Sequence, residues 1–246
     1  MNRVAVVTGG GSGIGRATAA ALSGEGWNVV VAGRNQESLD ETIASLPNDG
    51  LAVASDVGVE VEVENLFSSA VETFGRIDLL FNNAGIAAPA VPIDELEVER
   101  WDRLIRINLT GSFLCARAAF GQMRRQDPQG GRIINNGSVS ATAPRPFSAP
   151  YTASKHAITG LTKSLALDGR AYNIACGQID IGNANSEMIE RIAAGVMQPN
   201  GSIVAEPTMQ MEDVANAVVY MAGLPLEANV LNMTVMATNM PFVGRG

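Results

Sequence analysis

The chain has 246 residues, 46% of them hydrophobic and 17% charged, which suits one folded α/β domain with a large core rather than a disordered chain. A net charge of −8 argues against nucleic acid as the partner, because a phosphate backbone calls for a basic surface. The strand pattern starts at Arg3 with no signal-peptide pattern before it, and no apolar run has membrane-spanning length, so the expectation is cytoplasmic, with no membrane partner.

Short β-branched runs alternate with helical periodicity from end to end. The predicted strands are Val4–Thr8, Val29–Ala32, Ala52–Ser55, Leu79–Asn82, Arg132–Asn135, Ile174–Cys176 and Leu231–Val235. The predicted helices are Gly15–Ser23, Glu37–Leu46, Val59–Phe74, Trp101–Arg124, Ala149–Tyr172 and Glu212–Ala222. Alternation of this kind predicts a Rossmann-like, doubly wound α/β fold: a mainly seven-stranded parallel sheet with helices on both faces. No repeat or linker divides the chain, so residues 1–246 are expected to form a single domain.

The first strand runs into Thr8-Gly9-Gly10-Gly11-Ser12-Gly13-Ile14-Gly15 and then a helix. Gly9, Gly13 and Gly15 allow a tight turn and close approach of backbone to a pyrophosphate, and the helix start offers its N–H groups. The loop lacks the Lys-Ser/Thr ending of a P-loop, which argues against an ATPase. At the end of the second strand Gly33 stands where an NAD site usually has an acidic residue, and Arg34 follows it. A guanidinium can grip a 2′-phosphate in a fork, so NADP(H) is favoured over NAD(H), the alternative being an Arg34 that faces solvent. The position before Gly13, often basic in NADP sites, is Ser12 here.

Tyr151 and Lys155 are four residues apart on a predicted helix and so share a face. An ammonium held beside a phenol favours the phenolate, which suits a tyrosine to proton exchange with a carbonyl or alcohol. Ser138 lies thirteen positions before the tyrosine. The hydroxyls of Ser138 and Tyr151 could both stabilise charge on a substrate oxygen. Cys115 and Cys176 read as buried thiols rather than a disulfide, His156 as a surface or interface residue, and no cluster has metal-ligand spacing.

These motifs, with Asp56-Val57, Asn82-Asn83-Ala84-Gly85 and Asn108 in order between them, resemble the short-chain dehydrogenase/reductase family over nearly the whole chain. The resemblance implies an NAD(P)(H)-dependent oxidoreductase that interconverts a carbonyl and a secondary alcohol by hydride transfer, with a small-molecule substrate. It implies that Gly9, Ser12, Gly13, Ile14, Gly15, Arg34, Asp56, Val57, Asn82, Ala84, Gly85, Tyr151, Lys155 and Ile181 bind the cofactor. Asp56 would accept from the adenine amino group, and residues 82–85 would floor the adenine-side ribose and support the sheet. Asn108 would hold a water, Ser138 the substrate oxygen, Tyr151 the exchanged proton, and Lys155 the nicotinamide ribose. Relatives commonly assemble through the fourth and fifth predicted helices, so a homo-oligomer, dimer or tetramer, is expected.

Two stretches depart from the family. Ile179-Asp180 is read in place of the usual Pro-Gly, with no threonine after it, leaving the Ile181 backbone or Asn183 to meet the carboxamide. That change keeps a second reading open, a non-catalytic dinucleotide-binding sensor or subunit. Residues 180–210 are irregular, with a short helical stretch near Glu187–Ala194, and are expected to form a substrate lid. The apolar tail, about 236–246, is expected to pack on a neighbouring subunit. Ala88–Ile93, Ala141–Pro150 and the lid should line the pocket, where Arg145 could meet a substrate carboxylate or face solvent.

Overall fold

Val4, Ala5, Val6, Val7 and Thr8 are all fully buried and form β1 (Val4–Thr8). A strand covered on both faces is the mark of a parallel sheet sandwiched by helices. The computed structural model describes residues 2–87, 89–185 and 195–243. After β1 come α1 (Gly13–Gly24), β2 (Asn28–Gly33), α2 (Gln36–Ala44), β3 (Gly50–Ala54), α3 (Glu60–Phe74) and β4 (Leu79–Asn82). The second half carries α4 (Val98–Ile105), α5 (Ser112–Arg125), β5 (Gly131–Asn136), α6 (Ala149–Asp168) and β6 (Ile174–Ile181). A short ribbon of β7 (Val196–Met197) and β8 (Ile203–Val204) precedes α7 (Met211–Gly223) and β9 (Asn232–Val235).

The main sheet has seven strands in the order β3-β2-β1-β4-β5-β6-β9, every pair parallel. Strand side chains alternate faces, so one strand feeds two cores. Val4 and Val6 pack with Leu66, Phe67, Ile107 and Met123 on one face, and Ala5 and Val7 with Leu22, Leu39 and Val218 on the other. The chain winds outward from β1 to β3 and then returns to the other side of β1 with β4. That reversal opens a crevice at the carboxyl ends of β1 and β4, where ligands bind in such sheets.

Two elements differ from the sequence expectation. The long helix predicted over Trp101–Arg124 is two α-helices joined by a π-helical turn, Arg106–Gly111. Such turns admit an extra residue and often sit at functional sites. The sixth strand runs on through Ile181, so Ile179 and Asp180 lie inside it and the turn begins at Gly182. A Cβ on Gly182 would stand 2.6 Å from Met240 Sδ, so this turn has no room for a side chain. Part of the tail packs on its own chain: Ala237 and Met240 are buried with Val139. The helix predicted near Glu187–Ala194 lies outside the described residues. No helix among the described residues is long and apolar enough to cross a membrane.

Candidate active site

The loop after β1 is shaped by backbone crowding. Gly9 has φ +67°, a conformation that L side chains rarely adopt, and a Cβ on Gly15 would stand 2.1 Å from the Gly9 carbonyl oxygen. The loop is tied down from behind. Gly10 N–H donates to Ala32 O (3.0 Å), Thr42 Oγ1 to Gly10 O (3.0 Å), and the Arg16 guanidinium to Gly11 O (2.6 Å) and Ser38 O (3.1 Å). Ser12 is the N-cap of α1 and its side chain makes no capping bond, which leaves the first-turn N–H groups to an outside acceptor.

In front of this loop is a cavity of about 270 Å³. Of the residues expected at a cofactor, Gly9, Ser12, Arg34, Asp56, Val57, Ala84 and Gly85 line it. Ser55 lines it too, and its buried hydroxyl oxygen has no hydrogen-bond partner among the described residues. A glycine cradle, an uncapped helix start and an orphaned hydroxyl fit a dinucleotide. A larger hollow, about 460 Å³, lies between α3 and α5 and contains none of these residues.

Asp56 Oδ1 accepts from Gly58 N–H (2.9 Å) and Oδ2 from Arg106 (3.2 Å). Burial pushes its carboxyl up, but the Gly58 N–H, Arg106 and the charge of Arg34 outweigh that and hold it below the ordinary carboxylate value. Arg34 is exposed at the cavity rim, and Gly33 beside it carries no acid.

At the carboxyl end of β5 the second cluster gathers. Ser138 ends the strand's extension and is 6% exposed; its Oγ accepts from Ser140 N–H (3.1 Å), which leaves its proton for another acceptor. Pro150 in the first turn of α6 presets the helical φ, and one turn of that helix brings Tyr151 and Lys155 together. Lys155 is buried; its Nζ donates to Asn136 O (2.7 Å) and stands 5.5 Å from the centre of the Tyr151 ring. Tyr151 is half-buried, and α6 packs against the 3-10 turn Val139–Ala141 that follows Ser138.

Asn108 sits on the π turn, 3% exposed, with Oδ1 accepting from Ile86 N–H (2.8 Å) and Nδ2 donating to Ile86 O (2.9 Å). Asn82 is directed into the fold: its amide donates to Ser112 O (2.7 Å) and Asn135 Oδ1 (3.1 Å) and is absent from the cavity lining. Asn83 holds the loop instead, with N–H to Thr8 Oγ1 (2.9 Å) and Nδ2 to Thr8 O (2.8 Å). Gly13, Ile14, Gly15 and Ile181 do not line the cavity either; the first three form α1's first turn and Ile181 pairs with Val235.

Sequence reasoning missed a buried polar chain beneath the site. Asn135 Nδ2 donates to Thr162 Oγ1 (3.0 Å), Gln178 is 3.2 Å from the same hydroxyl, and Gln178 Nε2 donates to Asp180 Oδ1 (2.6 Å). The signal was present: Gln178 and Asp180 are polar at alternate positions of an otherwise buried strand. Arg145, partly exposed, pairs with the buried Glu206 and donates to Asn183 Oδ1 (2.8 Å). Asn183 is 2% exposed and its amide donates to Glu206 (2.9 Å) and Pro207 O (3.2 Å).

A doubly wound parallel sheet with a glycine cradle at its switch point defines a dinucleotide-binding class of protein. The short chain dehydrogenase family profile matches residues 3–196. A 3beta-hydroxysteroid dehydrogenase of Mediterraneibacter gnavus is 34% identical over 218 residues, 87% of this chain and 78% of that protein. A short chain dehydrogenase/reductase of Aspergillus oryzae, astE, is 34% identical over 232 residues, 91% of this chain and 88% of that protein. A solved 3-ketoacyl-(acyl-carrier-protein) reductase from Brucella melitensis, complexed with NADH, matches with TM-score 0.86 and 25% identity over 96% of this chain and 97% of its own. The chain belongs to the short chain dehydrogenase family.

Proposed function

We propose that this enzyme interconverts a small-molecule ketone or aldehyde and the matching alcohol, with a nicotinamide dinucleotide held at the β1 loop. The observation that carries the reading is the buried Lys155 ammonium beside the Tyr151 ring, on the helix that packs against the Ser138 turn. When bound, the cofactor supplies or accepts the hydride. Ser138 and Tyr151 donate hydrogen bonds to the substrate oxygen as negative charge builds on it. Tyr151 then passes its proton to that oxygen, or takes one in the reverse direction. Lys155 places positive charge where the departing proton leaves negative charge. Asn108 braces the Ile86 segment, and Asp56 stays ionised as an acceptor for an adenine amino group.

Arg34 at the rim, with Ser12 and Ser38 beside it and no acid at position 33, supports NADP(H) over NAD(H). The pairing of Arg145 with Glu206 supports an uncharged substrate, because it commits a cation of the substrate loop. Exposed Trp101, Phe113 and Leu167 on α4, α5 and α6 support a homo-oligomer assembled through those helices.

The test is fluorescence titration with NADPH and NADH, alongside turnover of a panel of neutral ketones. Tyr151→Phe is expected to bind cofactor as before and to lose at least a hundredfold in turnover. Arg34→Ala is expected to weaken NADPH about tenfold and NADH hardly at all. A Tyr151→Phe variant as active as the parent would overturn the catalytic assignment, and tighter binding of NADH by the parent would overturn the cofactor preference.

A further inference from the structure

We propose that Asp180 is the positioning residue for Ser138, a role that rests on the reading of Ser138 given above. The β5–β6 ladder reaches its last backbone rung at Gly137, whose N–H donates to Ile179 O (2.8 Å). The next N–H, that of Ser138, has no backbone carbonyl across from it and donates to Asp180 Oδ1 (2.9 Å). The carboxylate therefore fixes the backbone of the residue whose hydroxyl faces the substrate. Ser138 is extended there, with φ −168° and ψ 153°, as a ladder residue would be.

Three donors hold the carboxylate. Gln178 Nε2 meets Oδ1 (2.6 Å) alongside the Ser138 N–H, and Asn232 Nδ2 on β9 meets Oδ2 (2.7 Å). Asp180 is 5% exposed, so its placement is set by these bonds rather than by solvent. The same carboxylate dictates the residue before the serine: a Cβ on Gly137 would stand 2.0 Å from Asp180 Oδ1. Gly137, Ser138 and Asp180 thus form one unit, and Asn232 ties it to the last strand.

A methyl at position 180 cannot reproduce this set, whereas an amide can. The amide oxygen accepts from Ser138 N–H, and the exposed Asn232 amide turns over to present Oδ1 to the amide nitrogen. Asp180→Ala therefore strands the Ser138 N–H, and Asp180→Asn keeps its acceptor. Rescue by the amide separates a hydrogen-bonding role from a need for the charge.

The experiment measures backbone amide exchange across residues 137–141 of the full-length protein by mass spectrometry, which needs neither substrate nor cofactor. It is paired with reduction of 9,10-phenanthrenequinone and 2,3-hexanedione and with cofactor titration. Asp180→Ala is expected to speed exchange at 137–141 at least tenfold. It should also lower kcat by about tenfold to a hundredfold, with cofactor affinity within about twofold. Asp180→Asn is expected to keep both within about threefold of the parent. In a Ser138→Ala background, Asp180→Ala is expected to cost no further kcat. Unchanged exchange at 137–141, or the same loss of kcat with and without the serine hydroxyl, would overturn the proposal. A fully active Ser138→Ala variant would instead overturn the assignment of Ser138, while the exchange result still decides whether Asp180 holds its backbone.

Discussion

Replacing Arg145 by methionine tests how the lid side of the site is held. The guanidinium leaves, and with it the ion pair to Glu206 and the 2.8 Å bond to Asn183 Oδ1. Methionine keeps most of the stem's apolar contact, so packing changes little. Glu206, whose side chain is 1% exposed, is left in a buried place without that cation. Breaking a buried pair from one side costs about 3–5 kcal/mol. Here Glu206 still accepts from Asn183 Nδ2 and Gln198 Nε2, both 2.9 Å, and Arg145 itself is 21% exposed. Those two facts bring the cost to or below the lower end of that range, about 2–3 kcal/mol. Glu206 joins Arg145 and Asn183 to the segment that carries β7 and β8, so the cost falls first on local opening there. Hydrogen exchange over residues 195–209 should accelerate roughly 30- to 150-fold, that energy converted at tenfold per 1.4 kcal/mol. The melting temperature should fall by about 4–12 °C if the whole chain feels it. Adding Glu206→Gln should recover much of the loss, because the buried carboxylate charge is then removed. Exchange within threefold of the parent, or a double variant no better than the single one, would refute the reasoning.

Burial pushes the Cys115 and Cys176 thiols up to about 12, so the native protein should not react with a thiol reagent at pH 8, and should yield both thiols in denaturant; native labelling would place a cysteine at the surface. Asp56 is held below its ordinary value, so its bonds add stability above the unfolded carboxylate pKa of about 4 and lose it as pH falls through the lower folded value. Urea titrations should therefore show a gap between the parent and Asp56→Asn that is constant from about pH 6 to 8 and closes in acid; a gap that widens on acidification would contradict the sign.

Local patterns carried most of the reading. Buried β-branched runs at strand spacing, glycines between a strand and a helix, and a tyrosine four residues before a lysine are short-range facts that no distant contact has to supply. They marked the seven strands, the cofactor loop and the Tyr151–Lys155 pair. Boundaries and interruptions were less visible. The π turn at Arg106–Gly111 has the same apolar period as the helices on either side, and Asn108 marks it only because its amide is needed by Ile86. The extension of β6 was hidden by Gln178 and Asp180, which look like loop residues until Thr162 and Ser138 are found beside them.

Chain-local chemistry thus settled the fold class, the nucleotide loop and the helix that carries Tyr151. Tertiary structure alone decided that Arg145 meets Glu206 across 61 positions, that Asp180 reaches Ser138 across 42, and that Asn82 turns inward to Asn135. The physical reason is that periodicity states which face of an element is buried, not which element covers it. Strand order and register choose the partner, and a buried polar group must take whichever donor or acceptor that choice brings within reach.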